Sequence, residues 1–138
     1  MIGYVTIGAD DISRAKTFYS AFLPALGYEV SETVEGLAYA LPRSKDLPLA
    51  LPEVYITMPF DGKGATSGNG MMVAFKARSQ QEVQHLHAAA LAAGGTNEGK
   101  PGFRKIYSPE FFVGYVRDPQ GNKVAIYSSN PDDPSRDD

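Results

Sequence analysis

Five tyrosines offer a ligand more than any other residues of this chain. Tyr4, Tyr55, Tyr107, Tyr115 and Tyr127 fall on or beside segments with strand character. A belt of rings with hydroxyl tips suits a planar or amphipathic organic molecule, because the rings stack and the hydroxyls orient. The same residues would serve equally well as ordinary core packing. Arg104 and Lys105 precede Tyr107 in a glycine-rich stretch, where they could meet an anionic ligand or simply face water. Other chemistry finds little support. The chain has no cysteine, which excludes disulfides, thiolate metal sites and cysteine nucleophiles. Its two histidines, His85 and His87, stand two apart on a predicted helix and point about 200° apart, so they cannot share an ion. The acid pairs Asp10-Asp11 and Asp132-Asp133 fall at a helix cap and in a tail. No serine sits in a nucleophile elbow. GKGATSGNG lacks the lysine and hydroxyl placement of a phosphate loop. No residue is assigned a catalytic role, and no metal or other cofactor is expected.

These side chains need a scaffold, and 138 residues suffice for one domain. With 43% hydrophobic residues the chain can build a core without staples. Net charge is −3, with 13 basic and 16 acidic residues and no basic block, so nucleic acid is not an expected partner. No apolar run approaches the roughly 20 residues that span a bilayer, and the N-terminus lacks a signal pattern. The expectation is a cytoplasmic protein with no membrane partner.

Ile2–Ile7 reads as a strand. Asp10 or Asp11 caps a helix whose apolar face runs through Ile12, Ala15, Phe18, Tyr19, Phe22, Leu23 and Leu26, with Pro24 ending or kinking it and Gly27 as a stop. Tyr28–Val34, Leu37–Leu41 and Glu53–Met58 follow as strands, with a proline-bearing loop over 42–51. The glycine-rich stretch 59–70 links two halves. Met71–Ala77 is a strand, and Ser79 with Glu82 forms a capping box for a helix faced by Val83, Leu86, Ala90 and Leu91 and stopped by Gly94-Gly95. Residues 96–105 show little regular structure beyond a short strand. Glu110–Arg117, a tight turn at Asp118-Pro119-Gln120-Gly121-Asn122 and a last strand Lys123–Ser128 complete the order.

The two halves repeat. Laid with Tyr4 on Met72, the first strand falls on Met72–Phe75, Asp11 on Ser79, Phe18 on Leu86 and Gly27 on Gly95. Val54–Ile56 falls on Val124–Ile126. One domain over 1–128 is therefore expected, with modules at about 1–60 and 70–128, and a disordered acidic tail over 129–138. Each module buries one sheet face under its helix. The pair leaves a concave side, the default place for a ligand.

IGYVTIGADDISRAKTFYSAFLPALGY resembles the opening of the vicinal oxygen chelate superfamily, the glyoxalase, bleomycin-resistance protein and extradiol dioxygenase group. GNGMMVAFKA, HAAALAAGG and FVGYVRDPQGNKVAIY resemble the matching segments of its short single-domain members. The resemblance runs from Met1 to about Ser128. It implies an α+β fold of two βαβββ modules forming a curved mixed sheet around a concave cavity, often as a homodimer. In members that use a divalent metal, four inward strand positions supply the ligands. By position these fall on Tyr4, on or near Tyr55, on Met72 and on Ala125, with Tyr127 sharing the inward phase of Ala125. Hard or borderline ions want imidazole or carboxylate, which none of the four offers. The expectation is a metal-independent protein binding a small organic molecule among Tyr4, Tyr55, Met72, Arg104, Tyr107, Tyr115, Ala125 and Tyr127. The alternatives are a metal-dependent lyase, isomerase or dioxygenase, and an interaction subunit whose cavity is filled by Tyr4, Tyr55 and Met72 themselves.

Overall fold

The computed structural model describes residues 1–43, 45 and 51–137. The expected loop over 42–51 lies mostly outside them. The described residues form β1 (Tyr4–Gly8), α1 (Ile12–Tyr19), a 3₁₀ turn (Pro24–Leu26), β2 (Glu29–Glu32), β3 (Gly36–Ala40), β4 (Glu53–Thr57), β5 (Val73–Lys76), α2 (Gln80–Ala92), β6 (Thr96–Phe103), β7 (Phe112–Arg117) and β8 (Lys123–Ser128). Neither helix is long and apolar enough to cross a membrane.

The repeat is real in three dimensions. Each half makes a four-stranded mixed sheet, in the order β1-β4-β3-β2 and β5-β8-β7-β6. In both, the first and last strands of the module pair in parallel, and the other pairs are antiparallel. The fold is α+β with two βαβββ modules, as expected; each module contributes its own mixed sheet, and β1 and β5 share no ladder. The end of β1 is taken by other partners: the carbonyl of Gly8 accepts a 2.9 Å hydrogen bond from the Asn122 side chain.

Local chemistry explains most boundaries. Asp11 caps α1 by accepting from the Arg14 amide at 3.0 Å. Phe22, Leu23 and Leu26 continue the expected apolar face, yet α1 closes at Tyr19 and Pro24 opens a separate 3₁₀ turn, since proline lacks the amide a helix needs there. Ser79 caps α2, but the Glu82 carboxylate reaches back to the Arg78 amide, one residue beyond the position a capping box uses. Residues 96–103, expected to hold little structure, form the eight-residue β6. It is an edge strand held by backbone pairing to β7, with two register shifts, so it needs no apolar alternation. Residues 129–137, expected to be disordered, form no helix or strand. They carry hydrogen bonds back to the domain: Asp133 accepts from the Gln80 amide at 2.8 Å, and the Arg136 guanidinium donates to the carbonyls of Arg104 and Tyr107.

One core serves both halves. Phe18, Tyr19, Phe22, Leu37 and Ile56 of the first pack with Phe75, Val83, Val116 and Ile126 of the second. The Phe22 and Phe75 rings meet edge-on at 5.8 Å. Gly95 does more than stop α2, because a Cβ there would sit 2.7 Å from both Phe18 and Val116.

The halves are also locked by polar contacts around Asp118, a buried carboxylate in the β7–β8 turn. It accepts from the Tyr19 hydroxyl at 2.6 Å, from the amides of Gln120 and Asn122 at 2.9 Å, and from the Asn122 side chain at 3.0 Å. Gln120 accepts from the Asp10 amide at 2.9 Å and donates to the Ala65 carbonyl at 3.1 Å. Asp10 in turn accepts from the Ala65 amide at 2.8 Å. Burial, followed by the charge of Asp118, pushes the Tyr19 phenol well above the ordinary tyrosine value, so it stays a neutral donor. Tyr19→Phe removes a hydrogen bond to a charged group and is expected to cost about 1.5–3 kcal/mol in denaturant unfolding. Because the folded phenol titrates above the unfolded one, its share of stability is whole below about pH 10 and is lost as pH rises through the folded value. The phenylalanine variant should therefore show a shallower alkaline fall in melting temperature.

Candidate functional site

Alternation along β1 and β4 builds the site. Val54 and Ile56 are buried and Val5 and Ile7 pack with them in the core, so Tyr4, Thr6, Tyr55 and Thr57 take the face away from the helices. The pairing places Thr6 beside Tyr55 and Gly8 beside Thr57. Over this face lies a cleft of about 1030 Å³. Its walls come from Tyr4, Thr6, Tyr55 and Thr57, from Val34 and Glu35 in the β2–β3 turn, and from linker residues 58–61 and 64–66. The Tyr4 and Tyr55 rings stand nearly perpendicular, at 84° and 5.3 Å. Tyr55 donates its hydroxyl proton to Glu53 two residues back on the same strand face. That bond, more than burial, raises the Tyr55 phenol above its ordinary value.

A second pocket of about 140 Å³ lies at the seam where β1 approaches β5. It shares Thr6, Gly8 and Thr66 with the cleft and adds Met71, Met72, Asn122 and Lys123.

The expected tyrosine belt divides in two. Tyr4 and Tyr55 meet in the cleft, and Met72 lines the adjoining seam pocket. Tyr107, Tyr115 and Tyr127 form a separate group on the second sheet and line neither. There Phe111 stacks on Tyr127 at 5.2 Å and meets Tyr107 edge-on at 5.4 Å. Ala125, 1% exposed, pairs with Ala74 and Tyr115 within that sheet and reaches no cavity. Arg104, a candidate to meet an anionic ligand, follows the end of β6 and lies against the second sheet. Its guanidinium carbon lies 5.5 Å from the Tyr115 ring centre and its nitrogens donate to the carbonyls of Lys100 and Phe103. The Lys123 ammonium lies over the same ring at 4.8 Å. Burial, then Tyr107, raises the Tyr115 phenol.

Several lining residues escaped the sequence reading. Thr6 and Thr57 follow from the same alternation that yields Tyr4 and Tyr55. Glu35, Phe60 and Asp61 sit in turns and linker, where no periodicity marks which side chains face a cavity.

The residues at the four positions expected to hold an ion do not suit one: two neutral phenols, a thioether and a methyl group. Among the described residues, no three histidine, aspartate or glutamate side chains are grouped to hold a metal. His85 is exposed, while His87 is buried with Nε2 bonded to the Tyr115 carbonyl at 3.0 Å, so the two do face apart. Glu53→Gln removes the largest cause of the raised Tyr55 phenol. An ultraviolet titration should then show one more tyrosine ionising near the ordinary value than in the unaltered protein.

The family model described as Glyoxalase/Bleomycin resistance protein/Dioxygenase superfamily matches residues 1–126. Among solved structures, a glyoxalase/bleomycin resistance protein from Albidiferax ferrireducens T118 is 35% identical, with 93% of this chain and 98% of that one covered and a TM-score of 0.75. A glyoxalase-related enzyme from Fulvimarina pelagi, at 20% identity, covers 93% of this chain and 87% of its own, with a TM-score of 0.67. A putative glyoxalase from Bacillus halodurans, at 21%, covers 93% and 95%, with a TM-score of 0.65. The last two show likeness of fold alone. No curated protein matches the chain.

Proposed function

The chain belongs to the glyoxalase/bleomycin resistance protein/dioxygenase superfamily, and on that premise we propose that it binds a small organic molecule, without a metal ion, in the cleft of the first sheet. The observation that carries this reading is the open volume over Tyr4 and Tyr55. At about 1030 Å³ it stands at the upper end of ligand-pocket sizes, roughly 300–1,000 Å³. A cavity plugged by its own tyrosines, as an interaction subunit would have, is not what surrounds these residues: Tyr4 is 64% exposed.

The mechanism is stacking plus orientation. Tyr4 and Tyr55 offer ring surface in two perpendicular planes, and the hydroxyls of Thr6 and Thr57 lie alongside on the same sheet face. Glu53 fixes the Tyr55 phenol, so that ring is already oriented before a ligand arrives, which lowers the ordering cost of binding. We also assign the protein to a homodimer. Val34, Met58 and Phe60 on the cleft rim, and Ile106 on the β6–β7 segment, are large apolar side chains left in water, the kind of surface an interface covers.

Native mass spectrometry of freshly purified protein tests these points together. The expected result is a dimer carrying an organic mass and no stoichiometric divalent ion. Tyr4→Ala and Tyr55→Ala should each weaken binding of an aromatic probe by about tenfold, in line with losing an aromatic contact. A tightly held divalent ion, or binding indifferent to both substitutions, would overturn the reading.

A further inference from the structure

We infer that the molecule held in the cleft is an organic cation, a protonated amine or guanidinium carried on an aromatic or apolar body. This rests on the reading of that cleft as a small-molecule site and adds the chemical class of its occupant.

The charge of the lining is one-sided. Among the described residues, the charged side chains that line the cleft are Glu35 and Asp61, and no lysine, arginine or histidine joins them. A third carboxylate, Glu53, lies on the same sheet face and holds the Tyr55 phenol. Neither Glu35 nor Asp61 takes part in the ion pairs of the described residues, which are Lys16–Glu32, Arg78–Glu82 and Arg117–Glu98. Asp61 accepts from the backbone amide of Lys63 at 3.0 Å, which steadies its carboxylate without neutralising it. Lys63, two residues after Asp61, does not line the cleft, and Lys123 lines the adjoining seam pocket with its ammonium over the Tyr115 ring.

The apolar lining has the matching character. Tyr4, Tyr55 and Phe60 present rings to the same volume that Glu35 and Asp61 border. Ring faces attract ammonium and guanidinium groups, and carboxylates do so more strongly at short range. An anionic ligand of the same shape would instead meet two like charges and no counter-charge. Arg104, which either meets an anionic ligand or faces water in the sequence reading, is not part of this lining.

The test compares three probes of one shape at neutral pH, 4-phenylbutylamine, 4-phenylbutanol and 4-phenylbutyrate, by isothermal titration against the full chain at low ionic strength. The amine should bind at least about fivefold more tightly than the alcohol, and the butyrate more weakly than either. Glu35→Gln with Asp61→Asn, both on exposed turn or linker positions, should remove the preference, so that this variant binds the amine no more tightly than it binds the alcohol. High salt should do the same. Equal binding of amine and alcohol, or an amine affinity indifferent to the double substitution, overturns the cation assignment and leaves the cleft a binding site. Failure of all three probes to bind, or alcohol binding indifferent to Tyr55→Ala, overturns both.

Discussion

A buried carboxylate in a tight turn governs how the two modules meet. Asp118 receives donors from its own turn and from Tyr19, at the end of the helix of the other module. A buried charge is tolerated only when its lone pairs are filled, and the Tyr19 hydroxyl reaches it only when α1 lies against the second half. Gly121, at φ 101°, lets the turn fold back so that both amides can point inward. The same turn sends Asn122 to the Gly8 carbonyl and Gln120 to Asp10 and Ala65. One short sequence thus fixes the end of β1, the entry to α1 and the linker that walls the cleft.

The duplication supplies two equivalent frames, and what covers them makes them different. On the first sheet, the face away from the helices meets only the linker and a turn, and Tyr4 remains mostly in water. On the second, the corresponding face is covered over β7 and β8, while Ala74 and Lys76 of β5 stay exposed. Val113 and Ala125 are buried there, beneath a group formed by Phe111, Tyr115 and Tyr127. Segment 104–111 supplies Tyr107 and Phe111 to that group, and Arg136 of the tail ties the segment down through two of its carbonyls. Symmetry of backbone therefore coexists with asymmetry of access. Cover, rather than strand geometry, decides which half offers a cavity.

Much of this was legible from residues. The β-branched and aromatic strands, the Asp11 and Ser79 caps and the glycine-bearing turn before β8 declared themselves, because each depends on chemistry local to a few positions. β6 did not, since TNEGKPGF is extended by pairing to β7 and has no pattern of its own. For the site, strand parity was enough to place Tyr4 and Tyr55 together. It could not tell that Ala125 and Tyr127, of the same phase, lie under cover, because the covering segment is distant in sequence. Nor could it place Arg104, whose position follows from a contact with Tyr115 across β6 and β7.

The substitutions at the expected ion positions make sense as a linked set. A divalent ion concentrates positive charge at one point and is held by ligands that surrender their own hydrogen-bonding freedom. Here the position on β4 that the family resemblance gives to an ion ligand holds a phenol that donates a hydrogen bond to Glu53 and stays neutral. Its neighbour on β1 is a second ring packed edge to face against it, filling space rather than donating to a metal. Glu35 and Asp61 line the same cleft as these rings, with no lysine, arginine or histidine among its described lining residues. On the proposed reading, that one-sided field favours positive charge arriving on the ligand.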